Sequence, residues 1–497
     1  MLKALLPLIV GIVVADRWTL PLWCVAVGLV VSVAWAVWLR RGAGADAMLA
    51  AAMVMAGWCA VEIRPWPPLP AGERVMELAV DGITSRRDGS MTAEGRIVAF
   101  AADGGGVERS GATVRITAPA SLALREGERV EALCRLRPFA AEGYGRYMLR
   151  QGVAGTVRLD PSRVLRREAM PSGWARRLRQ GAVERVSRLG LAPETEAVVA
   201  AMAVGDRSGL TPVIREMHAR GGTSHLLAVS GLHVGFVFVV VNLLLWWVPL
   251  LRYGYVWRCL LAVAAIWAYA AVTGFSPSVV RAATMFSVLQ AAMAATVRFD
   301  SLNSLALTAW LMLLFDARTF YDAGFRLSFL SVAAIIEWGV PLFRRTTRRP
   351  PPAIFTIPHT RRERVADWLR RSWRRLLRWA WGGVVMGAAA SVATAPLVSY
   401  LFGTVSLWSV AAGPVAVLLG GVVVASALVW VLLPLSPLQP VAAWVTGTAA
   451  GWLEALVGAC ARSGALVVER QAEGAAVAAA YAAMAFFTLW LWSRGRR

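Results

Sequence analysis

Long apolar runs separated by short charged breaks recur from one end of the chain to the other. Runs at 2–15, 20–39 and 47–63 come first, broken by Asp16-Arg17 and then by Arg40-Arg41. A further stretch opens at 223 and continues to 251, followed by runs at 256–273, 277–297, 302–315, 325–343, 382–402, 407–433, 438–460 and 475–492. A run of about 20 apolar residues crosses a bilayer as a helix, so these runs predict membrane spans. The period-two alternation of a membrane β-barrel is missing from them. The predicted fold class is a polytopic α-helical membrane protein with about 10–12 transmembrane helices. The first run, with Lys3 ahead of it, lacks a small-residue cleavage site and a second run follows at once. It reads as a short first span and not as a signal peptide.

Residues 64–170 have a different pattern. A stiff Pro65-Trp-Pro-Pro-Leu-Pro70 linker leads into short runs of β type at 95–99, 112–117, 128–136 and 155–159. Turn residues Asp103-Gly-Gly-Gly106 and Glu126-Gly127 separate them. This predicts an inserted small all-β domain, an antiparallel barrel or sandwich. Residues 171–222 read as amphipathic helices, with a basic helix at 174–189 that suits the membrane interface or a vestibule wall. The expected organisation is therefore 1–63 N-terminal spans, 64–170 β domain, 171–222 interfacial helices and 223–497 helical bundle.

Composition strengthens the membrane reading: 58% of residues are hydrophobic and the mean hydropathy is +0.56, which excludes an ordinary soluble domain. The net charge is +22. Lys3 is the only lysine, and twelve arginines crowd into residues 344–378. The positive-inside rule places Arg40-Arg41, Arg298, a basic loop at 344–380 and Arg494-Gly-Arg-Arg497 in the cytoplasm. Both termini are then cytoplasmic and the β domain lies outside. The arginines admit a nucleic acid or anionic lipid as partner without choosing between them. Cys24, Cys59, Cys134, Cys259 and Cys460 form neither a CxxC pair nor a zinc pattern. The four histidines, His218, His225, His233 and His359, form no metal cluster, and no P-loop is present. No metal, cofactor or enzymatic activity is expected.

Polar chemistry concentrates in Thr223-Ser-His-Leu-Leu-Ala-Val-Ser-Gly-Leu-His-Val-Gly235. In a regular helix His225 and His233 would lie on nearby faces two turns apart, making a polar stripe with Ser224 and Ser230. Such groups in an apolar run either line a wet path or satisfy backbone groups. Gly231 and Gly235 permit close helix approach or a break. Arg281 follows Pro277 near a helix start, where it either snorkels to the interface or faces the path. Asp300 and Asn303 are placed to cap a helix. Arg326 and Glu337 are further charges inside an apolar run.

His225-Leu-Leu-Ala-Val-Ser-Gly-Leu-His-Val-Gly235 closely resembles the signature of ComEC-type competence proteins. Ordered matches support it: Gly205-Asp-Arg-Ser-Gly-Leu210, Arg281-Ala-Ala-Thr-Met285, Asp300 with Asn303-Ser-Leu-Ala-Leu307, Asp322-Ala-Gly-Phe-Arg-Leu-Ser-Phe329 and Ala393-Thr-Ala-Pro-Leu397. Arg326 stands where that family usually has glutamine, and 410–415 lacks its asparagine. The resemblance implies an inner-membrane channel importing single-stranded DNA during natural transformation, with an OB-like exterior domain. It makes His225, Ser230, Gly231, His233, Gly235, Arg281, Asp300, Asn303 and Arg326 the candidate channel or DNA-path residues. It also implies as partners a periplasmic DNA receptor, a cytoplasmic DNA-motor ATPase and a separate nuclease, because the family's metallo-β-lactamase-like domain has no counterpart here. A transporter of a small or anionic solute and a non-transporting membrane scaffold are the alternatives.

Overall fold

The computed structural model describes residues 2–18, 20–39, 42–63, 67–87, 90–102, 105–140, 142–169, 173–295, 300–347, 361–432, 437–463 and 466–495. Arg40, Arg41, Arg298, Arg348, Arg349, His359, Arg496 and Arg497 lie outside them. The chain divides into two compact units. One comprises Met1–Ile214, Ala228–Arg326 and Val424–Ala443; the other comprises Arg215–Leu227, Leu327–Val423 and Trp444–Arg497.

The first unit opens with α1 (Leu2–Ala15), α2 (Leu22–Leu39) and α3 (Ala43–Glu62). Glycine lets α1 and α3 pack backbone to backbone. A Cβ on Gly11 would lie 2.0 Å from the Val54 carbonyl oxygen, and one on Gly57 2.2 Å from that of Leu8. Close contact between small residues is the main attraction available to helices in lipid.

The β domain contains β1 (Glu73–Arg87), β2 (Ser90–Ala101), β3 (Val107–Arg109), β4 (Thr113–Pro119), β5 (Glu128–Pro138), α4 (Gly143–Arg150), β6 (Val153–Arg158) and β7 (Val164–Ala169). Its strand order β1-β2-β4-β6-β5 closes through a β1–β5 pairing. The result is a small closed barrel with the five-stranded Greek-key character of OB-like domains. Met76, Leu78, Val80, Ile97, Val114, Ile116, Val130 and Val157 point inward and are fully buried or nearly so. The expected purely antiparallel sheet is corrected at one place: β4 and β6 pair in parallel. The connection that carries α4 brings β6 back beside β4, so closure requires that pairing.

The helices that follow are α5 (Trp174–Ser187), α6 (Pro193–Ala203), α7 (Pro212–Arg220), α8 (Gly231–Leu244), α9 (Gly254–Val272), α10 (Pro277–Ala294) and α11 (Ser301–Phe315). Within the first unit, α8, α9 and α10 share an apolar core of Val229, Val234, Ile266, Ala270, Val279 and Ala283. A polar thread runs through the same packing: Cys259 Sγ donates to Gln290 Oε1 at 3.2 Å, and Gln290 Nε2 donates to Asn242 Oδ1 at 3.3 Å. Trp267 Nε1 donates to Ser287 Oγ at 3.1 Å. These bonds satisfy polar groups that would otherwise be costly among apolar helices.

The chain continues as α12 (Ala323–Ala334), a π-helical turn at Ile335–Gly339, α13 (Val340–Thr346), α14 (Arg361–Phe402), β8 (Thr404–Ser406), α15 (Trp408–Ala411), α16 (Gly413–Leu432), α17 (Gln439–Ser463), β9 (Val467–Glu469) and α18 (Gly474–Gly495). β8 and β9 pair antiparallel. The basic loop expected at 344–380 is corrected in its second half, which is the first half of α14. Trp, Leu and Arg at helical spacing extend the helix through the charged segment.

Among the described residues, six helices are long and apolar enough to cross a membrane, and four shorter apolar ones accompany them. α10 and α17 have 18 and 25 residues but carry Arg281 and Gln290, and Thr446 and Glu454, respectively. The protein is a multi-pass helical membrane protein with an inserted β domain.

Candidate functional site: the signature break and the barrel junction

The segment expected as one helix from 223 to 251 is broken. Ser224–Leu227 forms a single 3-10 turn, residues 228–230 leave helical geometry, and α8 begins only at Gly231. The break has a local cause. Ser230 is the N-cap of α8: His233 N–H donates to Ser230 Oγ at 3.4 Å, and Ser230 N–H donates to His233 Nδ1 at 3.2 Å. This reciprocal cap replaces the usual glutamate with histidine. Eight-residue spacing therefore does not stack His225 above His233, because the two belong to different elements. His233 is 0% exposed, whereas Ser224 and His225 are exposed. Gly231 and Gly235 face α10, where a Cβ on either would make ordinary contact, 3.5 Å from Ala282 Cβ or Phe286 Cζ, respectively. Phe238 stacks on Phe286 at 4.5 Å just beyond.

In the second unit the same motif rests on α7. Thr223 N–H donates to the His218 carbonyl at 2.8 Å, and Thr223 Oγ1 lies 2.9 Å from His218 Nδ1. His218 is 0% exposed. Burial pushes its imidazole down from 6.5 to about 4. Histidine is charged when protonated, so burial lowers proton binding in the folded state and not in the unfolded one. The neutral ring thus favours the fold fully above 6.5, and that contribution is lost as pH falls from 6.5 towards 4. The loss amounts to about 3 kcal/mol. Thermal unfolding of the purified protein between pH 7 and 5 should show this slope, and His218→Gln should flatten it.

A second constellation joins the β domain to the helices within the first unit. Arg150, at the end of α4, pairs with Asp16 just beyond α1. Its guanidinium lies 4.8 Å from the Tyr321 ring centroid, a cation–π distance. Burial, with the Asp16 carboxylate adding to it, pushes the Tyr321 phenol up to about 12. Arg326, in the first turn of α12, donates through Nε and a terminal nitrogen to the carbonyls of Phe320 and Tyr321, both at 2.9 Å. Asp322 accepts from Phe325 N–H at 2.6 Å and so caps α12. Its carboxylate also attracts Arg281 and Arg326. Burial and the same carboxylate push the Tyr147 phenol of α4 upwards.

Arg281 is 3% exposed. Sequence reasoning singled out Arg281 and Arg326 separately; the fold gathers them around Asp322. It missed Asp16, Arg150 and Tyr321, whose partners lie far apart in sequence; only the isolated charge of Asp16-Arg17 hinted at a role. Asp300 and Asn303 stand elsewhere, both exposed. Asp300 Oδ1 accepts from Leu302 and Asn303 N–H at 3.0 and 3.3 Å, and Asn303 Nδ2 donates to Asp300 Oδ2 at 3.3 Å. Arg179 of α5 is a further link, donating to Glu126 Oε1 and the Gly205 carbonyl, each at 3.2 Å. Among the described residues no group of three or more His, Cys, Asp or Glu side chains could hold a metal.

The fold and these sites define a polytopic membrane protein whose small barrel is pinned by ion pairs to a bundle containing a broken signature segment. A family model described as Competence protein matches residues 202–494. That is more than half of the chain, and the chain belongs to this family. ComE operon protein 3 of Bacillus subtilis (strain 168) is 33% identical over 139 residues, covering 28% of this chain and 18% of that protein. The chain thus matches less than a fifth of the length of that relative. No solved structure matches.

Proposed function

We propose that this protein is the membrane conduit for single-stranded DNA entering the cell during natural transformation. The observation that carries the reading is the break at 224–230 in a member of the competence family. Ser224 and His225 stand exposed on non-helical backbone between the amphipathic α7 and the apolar α8, and at membrane depth such backbone is tolerated only against protein or water. Polyanionic DNA needs such a wet, donor-bearing wall, and no base readout is required of it. His225 and Ser224 face the path in this reading. Ser230, His233, Gly231 and Gly235 hold the break open by capping and packing α8. Arg281 and Arg326, balanced by Asp322, hold the barrel over the bundle, and Asp300 with Asn303 fixes α11.

The protein sits in the cytoplasmic membrane with both termini inside and residues 64–170 outside, as the arginine distribution favours. It has no catalytic role of its own. A periplasmic DNA receptor, a separate nuclease and a cytoplasmic DNA-motor ATPase supply delivery, strand degradation and pulling. A broken helix is also how solute transporters build binding sites, so a small-anion transporter is the second reading. Entry of labelled DNA into competent cells lacking the gene separates the two. Restoration by the intact gene supports the conduit; undiminished entry in the deletion strain overturns it and favours the transporter.

A further inference from the structure

A 42-residue helix such as α14 is about 63 Å long, twice the hydrocarbon thickness of a bilayer. Its last 21 residues, 382–402, suffice for the crossing, so the preceding half lies outside the hydrocarbon. From Trp368 to Trp379 every residue except Ser372 is exposed. At about 100° per residue, Trp368, Leu369, Trp373, Leu376, Leu377 and Trp379 fall within one half of the helix circumference. Arg370, Arg371, Arg374, Arg375 and Arg378 fall in the opposite half. The apolar residues on this half are each 51–64% exposed. Such a surface does not stay in water uncovered.

We propose that residues 368–380 lie in the membrane interface as an amphipathic helix that binds anionic lipid. Three observations choose this occupant. The helix runs directly into the span 382–402, so it is held at the bilayer surface by covalent continuity. Tryptophan, the residue that favours the headgroup layer, supplies half of the apolar face. Aromatic and basic residues are segregated to opposite faces. A single strand held by base stacking and phosphate contact needs both on one face; an interfacial helix needs them apart. Gly382-Gly383 stands at the junction, where a helix bends most readily. Trp381 Nε1 donates to Thr346 Oγ1 of α13 at 2.9 Å beside that junction.

The test places a genetically encoded photo-crosslinker at Trp373 or Arg374 in the full chain, reconstituted in nanodiscs containing anionic or only zwitterionic phospholipid. Both positions are exposed, so folding does not depend on them. Several-fold more lipid adduct at 373 than at 374 is expected, with the excess falling when anionic lipid is omitted. Equal lipid adducts at the two positions, an excess that ignores headgroup charge, or adducts at 373 to a second copy of the chain would each overturn the proposal. So would preferential adducts at 373 to an added single-stranded oligonucleotide.

Discussion

Gly57→Leu is expected to leave almost no folded protein in the membrane. The Leu8 carbonyl stands 2.2 Å from where the new Cβ must go, and the Ile12 amide nitrogen 3.2 Å away. Both are backbone atoms, so no side-chain rotation relieves the clash and α1 must move away from α3. Separation also opens the Gly11–Val54 contact on the other side of the crossing. Overpacking of this kind costs about 3 kcal/mol or more, a large part of the total stability of a typical domain. Gly451→Ala is the matched control. A Cβ there meets nothing within 4 Å, and alanine favours a helix by up to about 1 kcal/mol. Membrane-fraction yield and thermal unfolding followed by size-exclusion chromatography should separate the two variants clearly.

The second large effect is expected at Arg326. Two carbonyls, those of Phe320 and Tyr321, depend on its guanidinium, and its charge is balanced by Asp322. Arg326→Leu removes both donors, and leucine offers no replacement. Losing two charge-assisted bonds at a half-buried turn costs about 2–4 kcal/mol. Because the same turn carries Tyr321 against Arg150, loosening it weakens the seat of the β domain. Proteolysis should release a fragment containing residues 73–169 faster from Arg326→Leu than from the parent protein. Arg326→Gln retains an amide donor and the stem, so it should keep about half of the lost stability. Equal release rates for the leucine variant and the parent would show that the turn does not secure the barrel.

Much of the architecture was legible because lipid enforces long apolar runs, and the runs at 256–273, 277–297, 302–315, 438–460 and 475–492 each correspond to one helix at nearly the expected residues. The small barrel was legible in part. Strands β2, β4, β5 and β6 announced themselves by alternation, but Glu73, Arg74, Glu77 and Asp81 obscured the inward Met76, Leu78 and Val80 of β1. The parallel β4–β6 pairing depends on closure, which no local pattern reports. At the signature, the sequence identified the polar residues and the motif but not their geometry. A serine followed three residues later by histidine does not look like a capping box, because glutamate or glutamine normally holds the second position. The junction was the least legible. Asp16, Arg150 and Tyr321 meet, and Arg281 comes under the influence of Asp322, only after the barrel, α1, α10 and α12 have been assembled.

The central claim is that His225 stands in the path that DNA takes, and a pore-block experiment addresses it most directly. Competent cells carrying His225→Cys, with verified membrane levels, would be treated with a bulky membrane-impermeant thiol reagent before labelled DNA is added. Parallel cells would carry the parent protein or Val239→Cys on an exposed face of α8. The conduit account predicts that treatment stops DNA entry in the His225→Cys cells and leaves it intact in the other two. Normal entry through His225→Cys protein that is fully labelled would contradict it.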